Sequence, residues 1–211
     1  MALFSRRQKT RTEILAEADR ARARGKLKKA ASGYRKALES DPTDPYVNAK
    51  LAPLLARLGD SAGGVRCFRT ASKKHLDAGF TDRAAAVALA ATGVFPLDAG
   101  FRLELSRLNV LRGRRKDAVQ ALVEGGEAQA KARRPEVAVA LLGNALELEP
   151  WHLDASLALV PVLAWGGNDS GARKIVDGLL ERYRGPVRKR IRWTAFRVWP
   201  GLGTFWRWLR S

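Results

Sequence analysis

Apolar residues recur along this chain at spacings of three and four, in blocks of about 14–18 residues, and nowhere with the alternation that a half-buried strand requires. Ten such blocks run from residue 11 to residue 184, separated by Gly, Pro or Asp. The pattern predicts about ten amphipathic helices and no sheet. Gly25, Gly59, Gly79, Gly113 and Gly167 fall between blocks, where a residue free to adopt positive φ can end a helix. Asp44, Asp60, Asp98 and Asp169 stand where a carboxylate could cap the next one.

A fixed period underlies the blocks. Pro42, Pro96 and Pro150 are 54 residues apart, as are Gly59, Gly113 and Gly167, and the small residues Gly64, Ala118 and Ala172. Phe68, Leu122 and Val176 keep a large apolar residue in the same register, and Pro53 and Pro161 are separated by twice the period, with Arg107 between them. One such repeat cannot bury its apolar face alone, so stacked copies must share a continuous core.

Within the repeat the spacing resembles the tetratricopeptide motif: a glycine, a small residue five later, an aromatic four after that, then an alanine and a proline. Gly25, Ala30, Tyr34, Ala37 and Pro42 carry it once, and Gly59, Gly64, Phe68 and Ala71 carry it again 34 residues on. It returns at Gly79, Ala84, Ala88, Ala91 and Pro96, at Gly113, Ala118, Leu122 and Gly125, at Ala138, Leu142, Ala145 and Pro150, and at Gly167, Ala172 and Val176. The family's first-helix tryptophan is missing; Asn48, Arg102 and Ser156 occupy that position. The resemblance implies an all-α, right-handed α-solenoid of antiparallel helical hairpins over residues 11–184. A basic extension, residues 1–10, precedes it, and a cationic, tryptophan-rich helix or tail, residues 185–211, follows. Grouping of the helices in pairs, as in the family, or in threes, as the 54-residue period suggests, stays open at this level.

The resemblance also implies a non-catalytic scaffold that holds a protein or peptide partner in a groove lined by the first helix of each hairpin. Tyr46, Arg57, Arg107, Asp154 and Trp165 are the groove candidates. Catalysis finds little footing elsewhere. Gly59-Asp60-Ser61-Ala62-Gly63 fits the G-x-S-x-G nucleophile elbow, with Asp98 and His152 following in the order of a triad. An elbow needs a preceding strand and an upstream oxyanion loop, whereas Leu51–Leu58 reads as helix and no His-Gly-Gly stretch exists. A serine hydrolase using Ser61 is therefore the least supported alternative. His75 and His152 lie 77 residues apart with no ligand cluster around them, and no phosphate-binding glycine loop is followed by lysine, so no metal or cofactor is expected.

Charge alters this picture at the two ends. Residues 1–36 hold 12 basic and 3 acidic side chains, and residues 184–211 hold 8 basic and none acidic, within a chain whose formal net charge is +18. The middle is almost neutral. The last segment also concentrates four of the six tryptophans. Arg188, Lys189, Arg190, Arg192, Trp193, Arg197, Trp199, Trp206, Arg207, Trp208 and Arg210 form the candidate anionic-surface site, because indoles favour a membrane interface and each cation near an anionic leaflet adds ~1 kcal/mol. Val187, Ile191, Thr194, Ala195 and Val198 share one side of a helix, which could instead cap the last exposed face of the repeats. Nucleic acid is the alternative polyanion for the two cationic ends. The lone Cys67, and the absence of any apolar run as long as a spanning helix, lead to the expectation of a cytoplasmic chain, peripheral at the inner face of the membrane.

Overall fold

The computed structural model describes residues 9–201, 203 and 204. Among them all regular structure is helical. The chain divides after Phe95 into two compact units. The first holds α1 (Arg11–Ala23), α2 (Leu27–Leu38), α3 (Pro45–Arg57), α4 (Ser61–Asp77) and α5 (Thr81–Val94). The second holds α6 (Ala99–Leu111), α7 (Arg115–Lys131), α8 (Pro135–Leu148), α9 (Leu153–Trp165), α10 (Asp169–Arg182) and α11 (Pro186–Val198).

The 54-residue period is a period of helices. The bounds of α3, α6 and α9 repeat at that spacing, the starts of α4, α7 and α10 do so too, and α8 follows α5 in the same step. The covalent unit is therefore a helix triplet. Packing is simpler, since each helix within a unit lies against its sequence neighbour, and α3 with α5, α6 with α8, α7 with α9 and α9 with α11 also meet.

Small residues at the repeat positions set the approach of the helices. Ala30, Ala84 and Ala138 are fully enclosed, as are Ala118 and Ala172. At Gly64, the equivalent of Ala118 and Ala172, an added Cβ would stand 2.9 Å from the Ala52 carbonyl oxygen and 2.9 Å from the Phe95 ring, so α3 and α4 touch almost backbone to backbone. The larger partners in register, Tyr34, Phe68, Leu122 and Val176, are buried beside these contacts and fill the space left around them.

Six helices end in the same way. At α3 the amide of Gly59, with φ +90°, donates to Ala56 O, and the next amide, Asp60 N, reaches Leu55 O at 2.9 Å. This is a Schellman turn, which satisfies two otherwise orphaned carbonyls and needs a left-handed residue. The structure repeats it after α1, α4, α6 and α9 at glycines, but after α7 the left-handed residue is Arg133, with φ +58°, one period beyond Gly79. An arginine there carries the Cβ cost of the left-handed region.

The next helix is then capped by side chains at Asp44, Asp60 and Asp98, which accept from backbone amides two or three residues on. Asp169 departs from the expected role: Asn168 caps α10 by accepting from Gly171 N, and Asp169 is the first residue inside the helix. Its carboxylate is instead engaged by Arg173 and by the indole N–H of Trp199. Pro53 and Pro161 lie inside α3 and α9 without ending either helix.

The segment after Gly185 is an eleventh helix, with Gly185 itself at φ +63° before its first turn. Ile191 is completely buried against Val160, Ala172, Val176 and Leu179, and Val187, Ala195, Val198 and Trp199 pack around it. The apolar stripe foreseen for a cap is the one that α11 buries. Removing Ile191 alone would cost about 2–5 kcal/mol by cavity formation.

Two substitutions test this account in opposite directions. Arg133→Gly should raise the unfolding free energy by about 1 kcal/mol, because glycine relieves the left-handed strain. Gly64→Ala should lower it by about 1–3 kcal/mol, although alanine is the native residue at positions 118 and 172. Urea unfolding followed by circular dichroism measures both, and a destabilised Arg133→Gly or a neutral Gly64→Ala would contradict the assigned contacts.

Candidate functional site

A groove with large apolar walls lies in the second unit, between the last turn of α7, the outer stripe of α9 and one side of α11. Helix α9 turns Ala155, Ser156, Leu159, Val160 and Val162 inward. That leaves Asp154, Leu157, Ala158, Pro161 and Trp165 on the opposite stripe, at the spacing of successive helical turns. Helix α11 answers with Arg190, Trp193, Thr194 and Arg197, and α7 contributes Glu127, Ala130 and Lys131. The enclosed volume is about 560 Å³.

Two tryptophans dominate this groove. Trp165, the last residue of α9, is 74% exposed, and Trp193 on α11 is 43% exposed. An indole left this open forgoes much of the ~25 cal/mol per Å² that its burial would return, which is the signature of a surface awaiting a partner. Trp193 is held in place by its ring contact with Phe196, 5.7 Å between centroids. Across the groove Arg190 donates to Asp154 Oδ1 at 2.7 Å, linking α11 to the start of α9. Both side chains are more than half exposed, so the pair orients the helices more than it stabilises them. Trp165 also borders a second opening of about 530 Å³ with Arg133, Pro135 and Val162.

The residues expected to line a groove do not all meet. Asp154 and Trp165 do, and the structure joins them to Arg190, Trp193 and Arg197, which the sequence assigned to a separate tail site. Arg107 is exposed on α6, while Tyr46 and Arg57 belong to the first unit, both exposed. Tyr46 is not idle: its ring stands edge-on to His75 at 5.3 Å, and Arg83 donates to its hydroxyl at 2.5 Å. Arg83 also lies over the Phe80 ring, 4.6 Å from its centroid.

The cationic candidates of the tail divide between the two sides of α11. Lys189 is exposed, whereas Arg188 and Arg192 face α10 together with Trp199. Trp199 is committed to the fold through its hydrogen bond to Asp169 and the Arg173 guanidinium 4.4 Å above its ring. Trp206, Arg207, Trp208 and Arg210 lie outside the described residues. Leu157, Pro161 and Phe196 were missed as groove or supporting residues; the stripe of residues 154, 157, 158, 161 and 165 was the signal that could have found the first two.

Ser61 is the first residue of α4, directly after the Schellman turn and the Asp60 cap. It follows a helix rather than a strand, so the nucleophile-elbow geometry is missing. Among the described residues no group of three or more His, Cys, Asp or Glu side chains could hold a metal ion, and no helix is long and apolar enough to cross a membrane. Cys67 is half-buried, and burial pushes its thiol up rather than activating it.

Residues 129–190, from the end of α7 to the start of α11, match the family model of the tetratricopeptide repeat. The helix triplets, the small-residue contacts and the recurring turns agree with that match. The chain is a helical-repeat protein whose residues 129–190 are similar to the tetratricopeptide repeat. Its sequence matches no curated protein. Among solved structures the chain is similar to the MamA protein at 17% identity, over 82% of this chain and 91% of that one, with a TM-score of 0.31. It is likewise similar to MamA from Desulfovibrio magneticus RS-1, at 14% identity over 81% and 93% with a TM-score of 0.33. PilF from Pseudomonas aeruginosa is 15% identical over 95% and 96%, with a TM-score of 0.29. At such scores these likenesses carry no argument of their own; the repeat assignment rests on the family match and on the helix register.

The repeat protein contains one titrating contact beside its Tyr46 cluster. Burial, and secondarily the nearby Arg83 charge, hold the His75 imidazole below its ordinary value of 6.5, so the folded state favours the neutral ring. A depressed folded value means that this contribution is complete above ~6.5 and is lost as the pH falls below it, where the unfolded chain takes up the proton first. The urea midpoint should therefore decline from pH 7 to pH 5, and His75→Phe should flatten that decline. An unchanged slope in the variant would remove His75 as its cause.

Proposed function

We propose that this protein is a non-catalytic scaffold that captures a protein partner in the α7–α9–α11 groove and is held at an anionic membrane surface by its C-terminal segment. The observation that carries the first part is the pair of exposed indoles, Trp165 and Trp193, facing one another's helices across an otherwise open groove. Buried aromatic anchors dominate protein interfaces, and the loss of a central one typically costs 2 kcal/mol or more. Lys131, Arg190 and Arg197 stand against Glu127 and Asp154 at the rim, so a segment with an apolar side chain and a flanking carboxylate fits best. Support for the second part is the run of tryptophans and cations that continues past Thr204.

The buried Ile191 dictates how the membrane half is tested. A chain cut at residue 185 would uncover Val160, Val176 and Leu179 and would confuse unfolding with loss of binding. Substitutions beyond α11 avoid this. The full chain should float with phosphatidylcholine vesicles only when they contain phosphatidylserine. Arg207→Gln combined with Arg210→Gln should weaken that binding by about 2 kcal/mol, or roughly thirtyfold, and Trp206→Ala with Trp208→Ala should weaken it with all charge kept. Flotation insensitive to all four changes, or binding to DNA with none to vesicles, sinks the membrane half. For the scaffold half, Trp165→Ala with Trp193→Ala should abolish capture of the partner while leaving helicity and flotation intact; capture that survives the pair places the partner elsewhere.

A further inference from the structure

The cavity on the other side of α11 has a different chemistry. It lies between α10 and α11, encloses about 460 Å³, and is lined by Arg173, Arg188 and Arg192 over an apolar floor of Val176, Leu180, Ala195 and Trp199. Three guanidinium groups converge there against one lining carboxylate, Asp177. Thr204 closes the rim.

Arg188 is the informative member. Its Nε is buried and makes no hydrogen bond among the described residues. A buried donor without a protein partner is costly, and native structures meet it with a ligand or an ordered water. Arg173 is fixed on the opposite wall, since its Nε donates to Asp169 at 2.8 Å and its guanidinium is 4.4 Å from the Trp199 ring centroid. That arrangement uses one edge of the guanidinium and leaves its other N–H groups for a ligand, in the fork geometry that suits phosphate oxygens.

We infer that Arg173, Arg188 and Arg192 form a binding pocket for a phosphate group, and that the phosphate is that of an anionic phospholipid headgroup. Charge complementarity selects the anion. The floor selects the lipid, because Val176, Leu180, Ala195 and Trp199 offer a glycerol backbone apolar contact that free phosphate does not use. Position agrees, since the chain runs on from Thr204 at the rim into Phe-Trp-Arg-Trp-Leu-Arg, a sequence suited to the interfacial layer. The assignment rests on the membrane half of the proposed function and gives it a specific ligand: a diffuse basic surface senses charge density alone, whereas this pocket binds one headgroup at a time.

Calorimetric titration of the full chain with monomeric, short-chain phosphatidic acid tests the pocket without a membrane. Saturable binding of one lipid per chain is expected, with inorganic phosphate at least tenfold weaker and short-chain phosphatidylcholine without effect. Arg188→Gln should weaken binding at least tenfold and Arg188→Lys should restore it in part, while Lys174→Gln, an exposed residue of equal charge on α10 outside the cavity lining, should stay within twofold. Arg173→Gln, on α10, repeats the test where a change at Arg188 disturbs α11, as judged by its thermal unfolding. Equal losses in Arg188→Gln and Lys174→Gln, or no saturation, overturn the pocket even if vesicle flotation persists. Inorganic phosphate binding as tightly as the lipid keeps the three-arginine site but overturns the headgroup assignment. Tight lipid binding with no flotation would support the pocket while the membrane half of the proposed function fails.

Discussion

Close approach between consecutive helices is the contact on which the remaining features depend. Wherever the 54-residue register places Gly or Ala at the crossing, one helix can lie against its neighbour almost at backbone distance, and the bulky residue four positions on fills the flanking space. Gly64 marks the tightest crossing, with the Ala52 carbonyl where a Cβ would project. Within each unit a chain built from such crossings gains its core from neighbours in sequence, so local contacts dominate.

That economy creates a terminal problem, because the last helix pair exposes the stripe the next would cover. Helix α11 solves it. Its apolar side closes over Val160, Val176 and Leu179, and Trp199 extends the cover by bonding to Asp169 at the opposite end of α10. Capping then has a functional by-product: once its apolar side is committed, the cationic and aromatic remainder of α11 is turned outward in a fixed orientation. Arg190, Trp193 and Arg197 join the groove on one side, and Arg188 and Arg192 join the arginine cavity on the other. A helix that looks untidily amphipathic in isolation is orderly against its support.

The same logic separates the tryptophans by role. Trp199 has a hydrogen-bond partner and a cationic lid and belongs to the fold. Trp151 accepts the Tyr183 hydroxyl on its backbone carbonyl, and its half-exposed ring lies under Arg182. Trp165 and Trp193 border the groove, 74% and 43% exposed. Tryptophan is a costly residue to leave exposed, and two such rings bordering one groove mark it more clearly than composition could.

Fold class, helix bounds, the period and most turns were legible in the sequence, since each rests on local rules: apolar spacing, left-handed glycines, and side chains that cap the amides two or three residues ahead. Gly59, Gly113 and Gly167 could be placed in turns, and Asp44, Asp60 and Asp98 at caps, because everything that constrains them lies within one helical turn. Asp169 failed the same rule because Asn168, two periods beyond Asp60, holds the cap position, leaving Asp169 inside the first turn, where Arg173 and Trp199 engage it. Arg133 shows a turn imposed by its neighbours on a residue that does not favour it. The candidate site was the least legible part, as Asp154 and Trp165 were assigned to a groove and Arg190 and Trp193 to a tail, while the structure sets them around one opening. Nothing in the spacing of residues 154–197 states where α11 crosses α9. That is decided by which apolar face Ile191 can bury, and burial is a property of the assembled helices, not of any one of them.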